Sequence, residues 1–206
     1  MAQSTQAQAA GGPVNVVLLG HSYVRRLREY AARSQCTANL GLSGIQVRYV
    51  CLGGMTLRQR LRGRSRGGRT PGIRDHLQAV TACCPSLIVL HIGENDLGYV
   101  PASEVAGEIL QLASDLSRDY GCPVYVTQLI AWPSHSTETV LDVQQINTEL
   151  LHTLPPHHFW RHHCGLSSRS RDVFLPDCVH LNDLGMSRYY ASVRTLIGRA
   201  VRHRHQ

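Results

Sequence analysis

The sequence predicts an open parallel α/β sheet with helices packed on both faces, and three observations carry that expectation. Apolar runs rich in β-branched residues alternate with segments of helical spacing along the chain. The strongest runs are almost continuously apolar, the pattern of strands buried on both faces rather than one. No internal repeat points to a solenoid instead. At 206 residues the chain can bury one sizeable core and is short for two. One domain over residues 13–206 is expected, behind a small, polar, disordered leader of residues 1–12.

The elements follow in order. "VNVVLLG", residues 14–20, reads as the first buried strand, and "YVRRLREYAARS" then sets Val24, Leu27, Tyr30 and Ala31 on one helical face opposite arginines. "IQVRYVCL", residues 45–52, is the second strand, ending in Gly53 and Gly54. An arginine-rich stretch, read as a loop or a frayed helix end, leads to a helix around "GIRDHLQAVTAC". "SLIVLHIG", residues 86–93, is the third strand; the helix "ASEVAGEILQLASDLSRDYG" follows, with Ser103 as its expected cap and Gly121 as its stop. "PVYVTQLI" is a fourth strand, and the helix in "TVLDVQQINTELLHTL" ends at Pro155 and Pro156. A fifth, weaker strand is expected in "HHFWRHH", and Asn182 is expected to cap a long closing helix despite Gly185 near its start.

Open parallel sheets carry their sites beyond the carboxyl ends of the strands. Four places qualify: residues 20–22, 53–56 and 93–96, and the loop before the last helix. Ser22 stands at a strand-to-helix junction where a hydroxyl can face the crevice; alone, a serine there also reads as a helix cap. "GGMT" offers glycine, whose backbone N–H can approach a substrate oxygen, and "GEND" offers the side-chain amide of Asn95. In "LPDCVHLND", Asp177 precedes His180 by three residues, a spacing that lets the carboxylate accept from Nδ1–H and leave Nε2 to take a proton from Ser22.

These four blocks resemble those of the SGNH (GDSL-like) hydrolases, over nearly the whole chain after the leader. "LLGHS", "LGGMT", "GEND" and "DCVH" stand where that family has its blocks. The resemblance implies a flavodoxin-like, three-layer α/β/α fold with a sheet of about five strands, and hydrolysis of a small ester or acylated substrate. It implies a triad of Ser22, His180 and Asp177, oxyanion donors from Ser22, Gly54 and Asn95, and no metal or organic cofactor. One residue departs: the family usually has Asp before the nucleophile, and this chain has His21. The phrase "FLPDCVHLNDLGMSRYY" also looks like the ending of SGNH-like domains in animal transposable elements.

Composition bounds the alternatives. Lys+Arg 21 against Asp+Glu 14 gives a formal charge of +7, enough to attract polyanions. Arg58, Arg60, Arg62, Arg64, Arg66 and Arg69 concentrate that excess and are the candidate polyanion-binding residues, of nucleic acid for example, in the competing reading of a catalytically silent binding module. No aromatic is interleaved among them for base stacking. The seven cysteines lack paired C-x-x-C spacing, so neither a disulfide framework nor a cysteine zinc site is indicated, and the vicinal Cys83 and Cys84 are expected to close a helix. In "HHFWRHHC", Phe159 and Trp160 read as core anchors, which argues against zinc. No apolar run approaches the roughly 20 residues that span a bilayer, and the first residues lack the pattern of a secretory signal, so an intracellular, cytoplasmic setting is the expectation.

Overall fold

The computed structural model describes residues 12–33, 38–61 and 69–204. All of the expected leader but Gly12, together with Arg62, Arg64 and Arg66, lies outside the described residues.

β1 (Val14–Gly20) runs directly into α1 (Ser22–Arg33), and β2 (Ile45–Cys51) pairs parallel with β1 along its full length. A ribbon of β3 (Arg60–Leu61) and β4 (Arg69–Thr70) follows, then a 3-10 turn and the short helix α2 (Leu77–Thr81). β5 (Leu87–His91), α3 (Ala102–Tyr120), β6 (Val124–Thr127), α4 (Thr137–Thr153), β7 (Phe159–Trp160) and α5 (Asp183–His203) complete the order. The main sheet has five parallel strands in the order β2-β1-β5-β6-β7. This is the α/β architecture that the alternation predicts.

Both faces of the central strands are covered, which is why those strands read as unbroken apolar runs. Val17, Leu19, Ile88 and Leu90 pack with Ile109 and Leu112 of α3 and Val143 and Ile146 of α4. Their neighbours Val16, Leu18, Leu87 and Val89 point the other way, against Leu27 of α1 and Val193 and Ile197 of α5. No helix among the described residues is long and apolar enough to cross a membrane.

Two expectations need correction. α3 begins at Ala102 with Pro101 at the cap, whose carbonyl accepts from the N–H groups of Glu104 and Val105; Ser103 lies inside the first turn and caps nothing. Proline's fixed φ suits a helix start, so it takes the place a capping side chain would otherwise fill. The arginine stretch is also more ordered at its ends than a loop: β3 and β4 pair antiparallel, and Thr70 Oγ1 accepts from the N–H of Arg60 at 3.0 Å. The two other caps are as the sequence suggests. Asn182 Oδ1 accepts from Gly185 N at 3.0 Å, and Gly121 ends α3 in the left-handed region at φ 59°.

Two glycines are fixed by close approach. A Cβ on Gly185 would lie 2.2 Å from the carbonyl oxygen of Val173, so this glycine lets α5 start against the preceding loop. A Cβ on Gly20 would lie 2.1 Å from the carbonyl oxygen of His91, on the strand beside it. Gly20→Ala is therefore expected to push β1 and β5 apart at their carboxyl ends. It should cost on the order of 1–3 kcal/mol in urea unfolding, and an unchanged midpoint would show that the strands yield without strain.

Candidate active site

The carboxyl ends of β1, β2 and β5 and the loop before α5 meet where the sequence places its candidates. His21 caps α1: its carbonyl accepts from Arg25 N at 3.2 Å and its ring Nδ1 from Tyr23 N at 3.4 Å. Ser22 is the first residue of α1, so its N–H is among those a helix leaves unpaired. Its hydroxyl lies 3.4 Å from His21 Nδ1. After β2, the chain turns at Gly53 and Gly54, the latter at φ 73°, a conformation that glycine adopts without cost. The 3-10 turn Glu94–Asp96 after β5 places Asn95 so that its Nδ2 donates to Met55 O at 2.9 Å, joining two candidate loops.

Asp177 and His180 form a local unit. His180 Nδ1 lies 2.8 Å from Asp177 Oδ2, while Asp177 Oδ1 accepts from the N–H groups of Val179 and His180, each at 2.9 Å. Burial acts to raise the Asp177 carboxyl, but these N–H groups and the imidazole outweigh it and bring it down to about 2. Tyr23 of α1 donates its hydroxyl to Val179 O at 3.0 Å. A residue next to Ser22 thus holds a residue next to His180. Among the described residues no hydrogen bond joins Ser22 to His180 directly; the serine hydroxyl faces His21 instead.

Beneath the serine lies a buried network that sequence reasoning missed. Glu94 has no exposed side-chain surface; Oε2 lies 2.7 Å from His21 Nε2 and Oε1 lies 2.9 Å from His91 Nε2. The N–H of Ile130 also donates to Oε1, at 3.0 Å. The partners fix the tautomers. His21 Nδ1 meets a backbone N–H, which can only donate, so the ring proton is on Nε2 and points at Glu94. His91 Nδ1 meets the hydroxyls of Thr127 at 2.7 Å and Tyr189 at 3.0 Å, leaving its Nε2–H for Glu94. Burial acts to raise the Glu94 carboxyl, but the two imidazoles and their hydrogen bonds hold it well below the usual carboxylate range. Burial pulls the His91 imidazole down, against the attraction of Glu94. The one signal in the sequence was the departure at position 21, where histidine stands before the serine.

Among the described residues, His21, His91 and Glu94 are the grouping whose ligand atoms lie close enough together, within 4.8 Å, to hold a metal ion. Both Nε2 atoms are engaged as donors to the carboxylate, so the group is already satisfied as a hydrogen-bonded unit. The histidines of "HHFWRHHC" are used separately. His158 Nδ1 lies 3.0 Å from Val124 O, and His162 Nδ1 lies 2.8 Å from Ser192 Oγ, with burial pulling the His162 imidazole down to about 3.

The described arginines of the basic stretch turn to the protein's own groups. Arg58 pairs with Glu108 at 2.9 Å, Arg69 donates to Gln59 at 2.9 Å, and Arg60 reaches the fully buried Asp96 at 3.2 Å. Asp96 also accepts from Leu57 N at 3.0 Å, so it pins the segment after the glycine turn.

Comparison with known proteins fits this architecture. No family model matches the sequence, and no curated protein matches it either. Solved structures do. A carbohydrate esterase family 3 protein from Talaromyces cellulolyticus superposes with a TM-score of 0.59 at 14% identity, covering 92% of this chain and 99% of that one. The psychrotrophic esterase EstA from a Pseudoalteromonas species gives 0.60 at 14% identity, over 89% and 98%. A lipase/acylhydrolase from Enterococcus faecalis gives 0.61 at 15% identity, over 90% and 96%. The chain has the fold of these esterases.

Burial raises the Asp96 carboxyl to about 6, partly offset by the Leu57 N–H and Arg60. A carboxyl whose folded value is raised stabilises the fold below its unfolded value and loses that contribution as pH climbs through the folded one. Relative to Asp96→Asn, the wild-type unfolding free energy should therefore fall by about 2–3 kcal/mol between pH 4 and pH 7. Parallel stability curves over that range would show that Asp96 is ionised throughout.

Proposed function

We propose that the chain is a serine ester hydrolase in which Ser22 is the nucleophile, His180 the base and Asp177 its orienting carboxylate. The observation that carries this reading is the Asp177–His180 pair, 2.8 Å apart and tethered through Val179 to the residue beside Ser22. Asp177 accepts the Nδ1 proton, leaving His180 Nε2 as the acceptor. The serine hydroxyl must turn from His21 to His180 when substrate enters, a tightening common between free and substrate-bound sites.

Chemistry follows from that arrangement. The Ser22 proton passes to His180 Nε2 as Oγ bonds to the ester carbonyl carbon, whose oxygen takes up the negative charge. Three donors suit that oxyanion: the N–H of Ser22, the N–H of Gly54, which has no partner among the described residues, and the second N–H of the Asn95 amide. His180 then gives its proton to the departing alkoxide, and the acyl group remains on Ser22. Water, deprotonated by the same imidazole, releases the acid and returns the proton to Ser22. With its carboxyl near 2, Asp177 stays ionised above pH 4.

Hydrolysis of p-nitrophenyl acetate through octanoate by the wild type and Ser22→Ala tests the reading. Activity should be lost with the hydroxyl while thermal unfolding stays near wild type; turnover that survives Ser22→Ala would rule out this nucleophile. Asn95→Ala should lower kcat by about 100- to 1,000-fold, and a change confined to KM would remove the amide from the oxyanion set.

A further inference from the structure

The amino end of α1 meets two carboxylate–imidazole pairs of unlike character, one at Ser22 Oγ and one through the Tyr23 hydroxyl and Val179. The pair assigned to catalysis is open to water, with His180 27% and Asp177 46% exposed at the side chain. The other, His21 with Glu94, is 0% exposed on both sides, and it is the one within hydrogen-bond reach of the Ser22 hydroxyl, at 3.4 Å. Each atom in that second chain has a fixed role. Glu94 is held by His91 and Ile130, His21 Nε2–H points at Glu94, and the one lone pair of His21 Nδ1 is shared by Tyr23 N and Oγ, each at 3.4 Å. The order carboxylate, imidazole, hydroxyl is that of a catalytic triad, approached from the protein interior.

We propose that His21 and Glu94 form a buried positioning pair that accepts the Ser22 hydroxyl's hydrogen bond through His21 Nδ1 in the free site, and so holds Oγ in the place from which its proton turns to His180 when substrate enters. This rests on the reading of Ser22 as nucleophile. His21 has no exposed surface, so it cannot protonate a leaving group; the proton of the reaction stays with His180. Glu94 acts through His21 by fixing its tautomer. Were His21 protonated on Nδ1 instead, that hydrogen would face the one on Tyr23 N, and Oγ would accept from the ring rather than donate to it, so the hydroxyl proton would lose its acceptor.

Substitution by isosteres separates the two ends of the imidazole. His21→Gln keeps a donor near the position of Nε2 and removes the acceptor at Nδ1; His21→Asn keeps an oxygen near Nδ1 and loses the reach to Glu94. Glu94→Gln leaves Oε1 to His91 and Ile130 and turns an NH₂ toward His21, forcing the His21 proton onto Nδ1. The readout is covalent labelling of Ser22 by a p-nitrophenyl phosphonate, followed by mass spectrometry, which reports nucleophile alignment without turnover. His21→Gln and Glu94→Gln should label about 10- to 100-fold more slowly than wild type, and His21→Asn several-fold faster than His21→Gln. Nitrogen-15 NMR of the imidazole should show the Nε2–H tautomer of His21 in the wild type and Nδ1–H in Glu94→Gln. A switched tautomer with an unchanged labelling rate would overturn the proposal, as would equal rates for His21→Gln and His21→Asn. Wild-type labelling that persists in Ser22→Ala would instead overturn the assignment of the nucleophile itself. If His21→Gln fails to fold, Glu94→Gln carries the test, since it conserves shape.

Discussion

Glu94 keeps a carboxylate with no side-chain surface in water, and the carboxyl ends of the central strands are arranged to satisfy it. An ion so placed is tolerated only when hydrogen-bond donors replace the lost hydration. Here the donors come from three places: His21 beyond β1, His91 at the end of β5 and Ile130 beyond β6. Thr127 of β6 and Tyr189 of α5 then hold His91. One charge therefore sets the spacing of the strands from which the candidate loops depart. Removing any of these donors would leave part of that charge unsatisfied, at a cost of about 1–3 kcal/mol each.

The same short turn organises the glycine loop. Of its three side chains, Glu94 reaches down into the interior, Asn95 holds Met55, and Asp96 holds Leu57 and Arg60. The turn gives the site a rigid floor of buried polar contacts. By contrast, Asp177 and His180 sit on a solvent-facing rim whose order comes from backbone N–H groups within a few residues. In the proposed reaction the floor aligns the Ser22 hydroxyl and the rim deprotonates it.

Features with short-range causes were legible in the sequence. β1 and β5 declare themselves because burial on both faces demands unbroken apolar runs, and Asp177 with His180 because a three-residue spacing brings the groups together. Gly121 and Asn182 are read from local backbone needs. β7, with two residues, carries little pattern, and its place is decided by pairing with Val126 and Thr127. The contact of His21 with Glu94 spans 73 positions and depends on the register that sets Gly20 opposite His91; no local pattern encodes it. Arg60 looked like part of a basic surface because its partner, Asp96, is brought to it only by the fold.

Tyr23 adds a mechanical consequence. The amino end of α1 carries the serine and, one residue later, the hydroxyl that grips the carbonyl of Val179. Small rigid-body excursions of this helix therefore carry Ser22 and the loop of His180 as a common mode, and the gap between them is buffered against breathing of the sheet. Backbone separation of the two requires that the phenol release its grip.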